Sequence, residues 1–392
     1  MPSRLDLPPA LRALADVAAG LVRRAPSARI AIARAGAVID PAALPADARA
    51  AFEREVAVAR EAVGGPMSRR DVERALREAW GRPPGRVLDD LDAEPLAVRP
   101  AAQVHRGALN GDPVAVKVRR PGVERAVRND LALLDTLAGP LRAAFPRLDA
   151  GAVLRDAREQ ALDELDFEHE ASQQRRVARA LRDVPGVAVP RPHLDLCAAG
   201  VLVSDLLDGA ALAGGARPPD PAAAARALVA AFRAATLDAG LAPVDARPGH
   251  VLVRPDGTLG LLGMGVARPV DRARAAQALD ALGALAAGDA EAFATVVAAS
   301  GVLPAAEART AHALLRELLG DLTAGAATLD AAALRAVAGR AARAAPELAA
   351  LATAAAPEPQ DLALARMLAQ LVAVLARFEA TADWPALARG AA

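Results

Sequence analysis

The stretch 103–118, QVHRGALNGDPVAVKV, constrains the chain more than any other. Apolar and polar residues alternate on both sides of Asn110-Gly111-Asp112, the strongest short hairpin signal, so strands are expected over 103–109 and 113–118. The second strand carries Val114-Ala115-Val116-Lys117. A lysine ending such a strand places a compact positive charge at a pocket edge, where it can hold a phosphate. An amphipathic surface hairpin ending in a solvated lysine satisfies the same residues.

With 392 residues, 54% of them hydrophobic, the chain has material for two or three units with ample core. The 47 basic residues balance the 47 acidic ones, which removes any global attraction to nucleic acid or an anionic membrane; a charged site has to be local. Cys197 is the single cysteine. That excludes a disulfide framework and a zinc finger, and fits a reducing compartment, with the cytoplasm as the expected location. Aromatic residues make up only 2% and tyrosine is absent, so helices packed closely through alanine are expected for much of the chain.

Ahead of the hairpin, amphipathic helices are expected over 11–24, 46–62 and 68–80, the last with Ser68 as N-cap, Asp71 three residues on, and Gly81 after it. About ninety-five residues are therefore read as a helical extension. After Pro121-Gly122 a helix is expected over 123–138, ended by Gly139-Pro140, and then one long acidic helix over 149–182. A solvated face explains such a charge run. A lysine at a strand end, however, needs a carboxylate from a neighbouring helix, and Glu164 and Asp166 lie about 200° apart on a helix, so they cannot both face Lys117. Further on, 251–253 and 258–262 read as a second hairpin across Pro255-Asp256-Gly257, which folds Asp245 toward Gly263.

The combination Ala102-Gln103-Val104-His105-Arg106, Val114-Ala115-Val116-Lys117 with Arg120-Pro121-Gly122, Glu164-Leu165-Asp166-Phe167 with Glu170-Ala171, Val189-Pro190-Arg191 and Leu207-Asp208-Gly209 resembles the UbiB/AarF (ADCK) family of atypical protein-kinase-like proteins, over residues 34–300. The resemblance implies an α+β, two-lobed kinase-like fold: a helical extension over 1–95, an N-lobe over 96–208, and a mostly helical, alanine-rich C-lobe over 209–392 containing a catalytic-loop-like hairpin at 245–265. It also implies ATP as ligand and a link to isoprenoid and quinone lipids, with a lipid or protein partner and peripheral membrane contact. Lys117 matches the strand lysine that contacts the nucleotide phosphates, Glu164 its helix partner, and Asp166 and Glu170 further acidic positions. Asp245 matches the catalytic-loop aspartate.

Several family features are altered. The catalytic segment His-Ala-Asp-Pro-His-Pro-Gly-Asn reads Pro243-Val244-Asp245-Ala246-Arg247-Pro248-Gly249-His250. His250 thus replaces a metal-binding asparagine, and Gly263 replaces the metal-binding aspartate of Asp-Phe-Gly. The remaining metal candidates are Asp245 and His250, neither a good substitute for the oxygen ligands magnesium prefers. The Lys-x-Gly-Gln element appears as Arg34-Ala35-Gly36-Ala37, and the alanine-rich nucleotide loop as Ala97-Val98-Arg99-Pro100. In that loop Arg99 offers itself to a phosphate. Gln103, His105, His169, His193 and His312 form no constellation and read as structural. Two functions stay open: a weak ATPase or phosphotransferase using Lys117, Glu164 and Asp245, or a pseudokinase that binds a nucleotide, lipid or protein partner and signals by conformation, any nucleotide binding leaning on Lys117 and Arg99 and responding little to magnesium. Lastly, the most apolar stretch, 362–376, is too short to span a bilayer and is interrupted by Arg366 and Gln370.

Overall fold

The computed structural model describes residues 65–390, together with Arg49, Glu53, Val56 and Ala57. The four isolated positions fall in the expected helix 46–62 and are helical. The expected helix 11–24 and the segment Arg34-Ala35-Gly36-Ala37 lie outside the described residues.

Helix α1 (Arg69–Trp80) begins where Ser68 Oγ accepts from Asp71 N (3.2 Å) and ends at Gly81, whose φ of 67° is left-handed. It is followed by strands β1 (Asp90–Val98), β2 (Ala102–Leu109) and β3 (Asp112–Arg119). The β2–β3 turn is the one the sequence announces: Asn110 and Gly111 both take positive φ, 53° and 85°, and Leu109 faces Asp112. Along β3, Val114, Val116 and Val118 point into a core shared with Val72 and Leu76 of α1, while Lys117 points to the opposite face. Strand β1 is unexpected, and it moves the start of the sheet back into the span read as helical extension. It is an exposed edge strand with register shifts around Pro95, so it shows neither alternation nor continuous pairing in its sequence.

Helices α2 (Val123–Leu131), α3 (Ala138–Ala144), α4 (Ala150–Asp163) and α5 (Phe167–Ala180) follow. Helix α3 contains Gly139-Pro140 instead of ending there, because a proline in the first turn has no intrahelical N–H to forfeit. The single acidic helix expected over 149–182 is two helices. The second restarts at Asp166, whose carboxylate accepts from Glu168 N (3.0 Å) and His169 N (3.1 Å).

Strands β4 (Val187–Ala188) and β5 (Val201–Asp205) come next, and β5 completes the antiparallel sheet β1-β2-β3-β5 beside β3. In the C-lobe are β6 (Ala210–Ala211), α6 (Pro221–Arg233), β7 (Leu241–Pro243), β8 (Val251–Val253), β9 (Leu259–Leu261) and β10 (Ala267–Pro269). A small sheet β4-β9-β8-β6 contains the expected 251–262 hairpin, and β7 pairs with β10. Helices α7 (Arg272–Ala287), α8 (Ala290–Ala299) and α9 (Ala305–Leu319) form a bundle. The chain closes with β11 (Ala326–Leu329), α10 (Ala331–Arg343), α11 (Ala345–Ala354), α12 (Pro359–Leu375), β12 (Ala380–Asp383) and α13 (Trp384–Arg389). The two-lobed kinase-like α+β architecture is therefore present. Helix α12 packs Leu371, Val374 and Leu375 into the main core, and no helix among the described residues is long and apolar enough to cross a membrane.

Candidate nucleotide site

Strand β3 carries Lys117 out of the sheet on the face that α5 covers. Its Nζ lies 2.6 Å from Glu170 Oε2 and 2.9 Å from Oε1, and 4.2 Å from the centre of the Phe167 ring. The pair is half-sheltered: the side chains are 25% and 8% exposed, so removing either partner strands a desolvated charge. The lysine's partner is thus Glu170 and not Glu164. The restart of the chain at Asp166 explains the difference. Glu164 ends α4, where it receives Gln160 Nε2 at 3.2 Å and stands 3.9 Å from Arg366 of α12, while Glu170 sits one turn into α5. Both acids line a cavity of about 20 Å³ with Gln160, His169 and Gly265. Asp166 serves as the α5 cap.

Gly265 fixes how closely the loop after β9 approaches α5. A Cβ there would overlap the carbonyl oxygen of Glu170 and stand 2.8 Å from its Cγ, so only glycine lets the two segments touch.

The loop from β7 to β8 supplies the second cluster. Val244 N donates to Val266 O (2.9 Å), and Ala246 N donates to Oε1 of Gln370 on α12 (3.0 Å), which pins the backbone on both sides of Asp245. Asp245 is 4% exposed. Arg247 closes on it: Nη2 donates to Oδ2 (3.1 Å) and Nε stands 3.0 Å from Oδ1. The same Nη2 lies 3.0 Å from His250 Nε2, and His250 Nδ1 lies 2.8 Å from the carbonyl oxygen of Asp245. A guanidinium only donates and a carbonyl only accepts, so Nδ1 carries the proton and Nε2 is the acceptor. Burial pushes the imidazole down to about 4, and the carboxylate of Asp245 only partly offsets it. The ring is neutral, and its 3.5 Å approach to Asp245 Oδ2 is not an ion pair.

Gly263, with φ 70°, lies against this ring: a Cβ would stand 2.6 Å from His250 Nδ1. The two departures noted in the sequence are therefore one steric unit. Arg99 sits in the β1–β2 turn, its carbonyl held by Arg120 Nε at 2.8 Å. Desolvation lowers its pKa, followed by the positive charge of Arg247, with Asp245 opposing, so Arg99 shares the electrostatic field of the Asp245 cluster. Gln103 and His105 lie elsewhere: Gln103 takes Met67 N (2.7 Å) and His105 bonds Asp92 O (2.9 Å), which ties the sheet edge together.

These residues do not fit a magnesium ion. His250 has no lone pair left, Gly263 has no side chain, and the carboxylate of Asp245 is already balanced by a guanidinium. Among the described residues no group of three or more His, Cys, Asp or Glu could hold a metal. Sequence reasoning listed Asp245 and His250 but missed Arg247; the available signal was an arginine two residues after the aspartate, in the segment that departs from the family pattern.

The family description "ABC1 atypical kinase-like domain" matches residues 63–297. The chain is 29% identical over 189 residues to "AarF domain-containing protein kinase 1" of Xenopus tropicalis, covering 47% of this chain and 36% of that protein. It is 32% identical over 142 residues to "Probable protein kinase UbiB" of Marinobacter nauticus, covering 35% of this chain and 26% of that protein. The chain thus spans between about a quarter and somewhat over a third of the length of these relatives. Among solved structures it is similar to "The complex structure of Rv3197-erythromycin from Mycobacterium tuberculosis", with a TM-score of 0.61 at 21% identity, covering 88% of this chain and 87% of that one. That likeness is one of fold.

Proposed function

The chain belongs to the ABC1 atypical kinase-like family of UbiB and AarF proteins, and from that premise we propose that it is a nucleotide-binding pseudokinase. The observation that carries this reading is the closure of Arg247 on Asp245. In phosphoryl transfer the aspartate must accept a proton or hold a metal that offsets developing charge. Here its carboxylate neutralises a guanidinium instead. The Lys117–Glu170 pair remains assembled, which supports retained binding of nucleotide phosphates.

The assembled pair also favours a second reading, a weak ATPase or phosphotransferase in which Asp245 is released from Arg247 during turnover. Kinship with proteins named UbiB supports a role beside isoprenoid-quinone lipid metabolism, exerted through conformation on a lipid or protein partner. An ATP titration followed by a turnover assay on the same sample separates the readings. The pseudokinase binds and does not turn over; sustained magnesium-dependent hydrolysis would establish the enzyme.

A further inference from the structure

Positions 250 and 263 are those that the family resemblance assigns to the metal, and 245 is that of the catalytic-loop aspartate beside them. One side chain, Arg247, contacts the residues at two of them, and the third is a glycine packed on the same imidazole. We infer that Arg247 is a resident cation in place of the divalent ion, so that this site takes nucleotide phosphates as the metal-free polyanion. The inference rests on the nucleotide-binding reading above.

The guanidinium is held for that purpose. Nη2 donates to Asp245 and His250 and Nε stands in ion-pair contact with Asp245 Oδ1, while Nη1 has no partner among the described residues, and its two N–H groups remain for a phosphate oxygen. The neutral, doubly bonded imidazole fixes the plane of the fork without adding charge. Arg99 from the β1–β2 turn adds a second cation to the field of this cluster, which the carboxylate of Asp245 opposes, while Lys117 from the sheet is paired with Glu170. The cluster therefore carries an excess of positive charge before any ligand arrives.

A magnesium-bound nucleotide fits this arrangement poorly. To reach the carboxylate of Asp245 the ion has to displace the guanidinium, leaving a half-buried arginine unpaired beside a second cation. Metal that stays on the phosphates screens the charge that Arg247, Lys117 and Arg99 would otherwise meet. Magnesium thus competes with the protein for the phosphates instead of bridging them to it.

The test is a titration of the full chain with ATP, followed by calorimetry, in EDTA and in excess magnesium. Binding in EDTA is expected to be tighter by about tenfold, as one charge-assisted contact allows. Arg247→Ala should lower affinity in EDTA by about tenfold or more, and Arg247→Gln, which keeps a hydrogen bond to Asp245 without the charge, should do the same in a protein whose melting temperature confirms folding. Binding that requires magnesium, or an unchanged EDTA affinity in a folded Arg247 variant, would overturn the resident-cation assignment while leaving nucleotide binding intact. Absence of binding in both buffers would overturn the nucleotide reading itself.

Discussion

A Cβ at position 263 would stand 2.6 Å from Nδ1 of His250. Real Cβ atoms do not approach a ring nitrogen that closely, and the ring is held by hydrogen bonds at both nitrogens. Residue 263 is glycine because residue 250 is this histidine, and its φ of 70° adds a second penalty for any side chain. The two departures that the resemblance marks at positions 250 and 263 are thus a single structural change.

The first prediction follows from that contact. Gly263→Ala in the otherwise unaltered chain should destabilise by about 2–3 kcal/mol, from overlap plus left-handed strain. In the background of His250→Ala the same substitution should cost at least about 1 kcal/mol less, because the overlapped atom is gone. Urea melts of the four proteins check this, and additive losses would show that the two positions are independent. Gly263→Asp with His250→Asn, whose amide is not pinned at both ends, should make nucleotide binding respond to magnesium.

Glu170 and Glu164 make different predictions although both stand in the same acidic run. Glu170→Gln should weaken nucleotide binding by about tenfold, since Lys117 loses the carboxylate 2.6 Å away that orients it. Glu164→Gln should change affinity by less than about twofold, because its partners include Gln160 and Arg366 and the lysine's carboxylate is Glu170. Lys117→Ala should cost about 1.5–3 kcal/mol of binding. Equal effects at the two glutamates, read in one titration series, would show that Glu164 shares the lysine.

Which features were legible in the sequence depended on whether their cause is local. Asn110-Gly111 set the hairpin because both residues accept positive φ, and Ser68 with Gly81 set the ends of α1 because caps act within one turn. The break at Glu164–Asp166 was hidden: no glycine or proline marks it, and an aspartate cap looks like one more charge in an acidic run. That break decides which carboxylate meets Lys117, so the ion pair was misassigned with it. Arg366 and Gln370 of α12 read as interruptions of an apolar stretch. One stands near Glu164 and the other holds the loop at Ala246, a role visible only once α12 is packed. Arg247 was passed over for the same reason: its place two residues after Asp245 was readable, but its chemistry arises from its closure on that carboxylate.

Stability should fall as pH is lowered through the range in which His250 titrates in the unfolded chain. Its folded value is depressed to about 4 from 6.5, so between those values the unfolded state binds the extra proton and is favoured. The stability is fully present above about pH 6.5 and is lost progressively toward pH 4, by roughly 2 kcal/mol at pH 5. Guanidinium melts at pH 7 and pH 5 check this against His250→Asn, which should remove most of the slope. An identical slope in that variant would place its origin elsewhere.

The last prediction concerns Gly265. This glycine lets the loop after β9 lie directly on the backbone of Glu170, and a Cβ would also meet Gln174 Cβ at 3.1 Å. The obstructing atoms are backbone and the root of a side chain, which cannot turn aside, so Gly265→Ala has to push α5 away from the loop. Helix α5 carries Glu170, and any shift of it lengthens the 2.6 Å contact with Lys117. The expected outcome is a loss of about 2–3 kcal/mol in stability together with weaker nucleotide binding, although the atoms that a Cβ at 265 would first meet belong to Glu170 and Gln174 and not to Lys117 or Asp245. A substitution at Gly111, exposed in the β2–β3 turn with nothing within 4 Å of its would-be Cβ, should destabilise through its φ of 85° alone and leave the affinity of the remaining folded protein unchanged. If Gly265→Ala lowers stability as Gly111→Ala does but leaves affinity untouched, the position of α5 is not set by this contact.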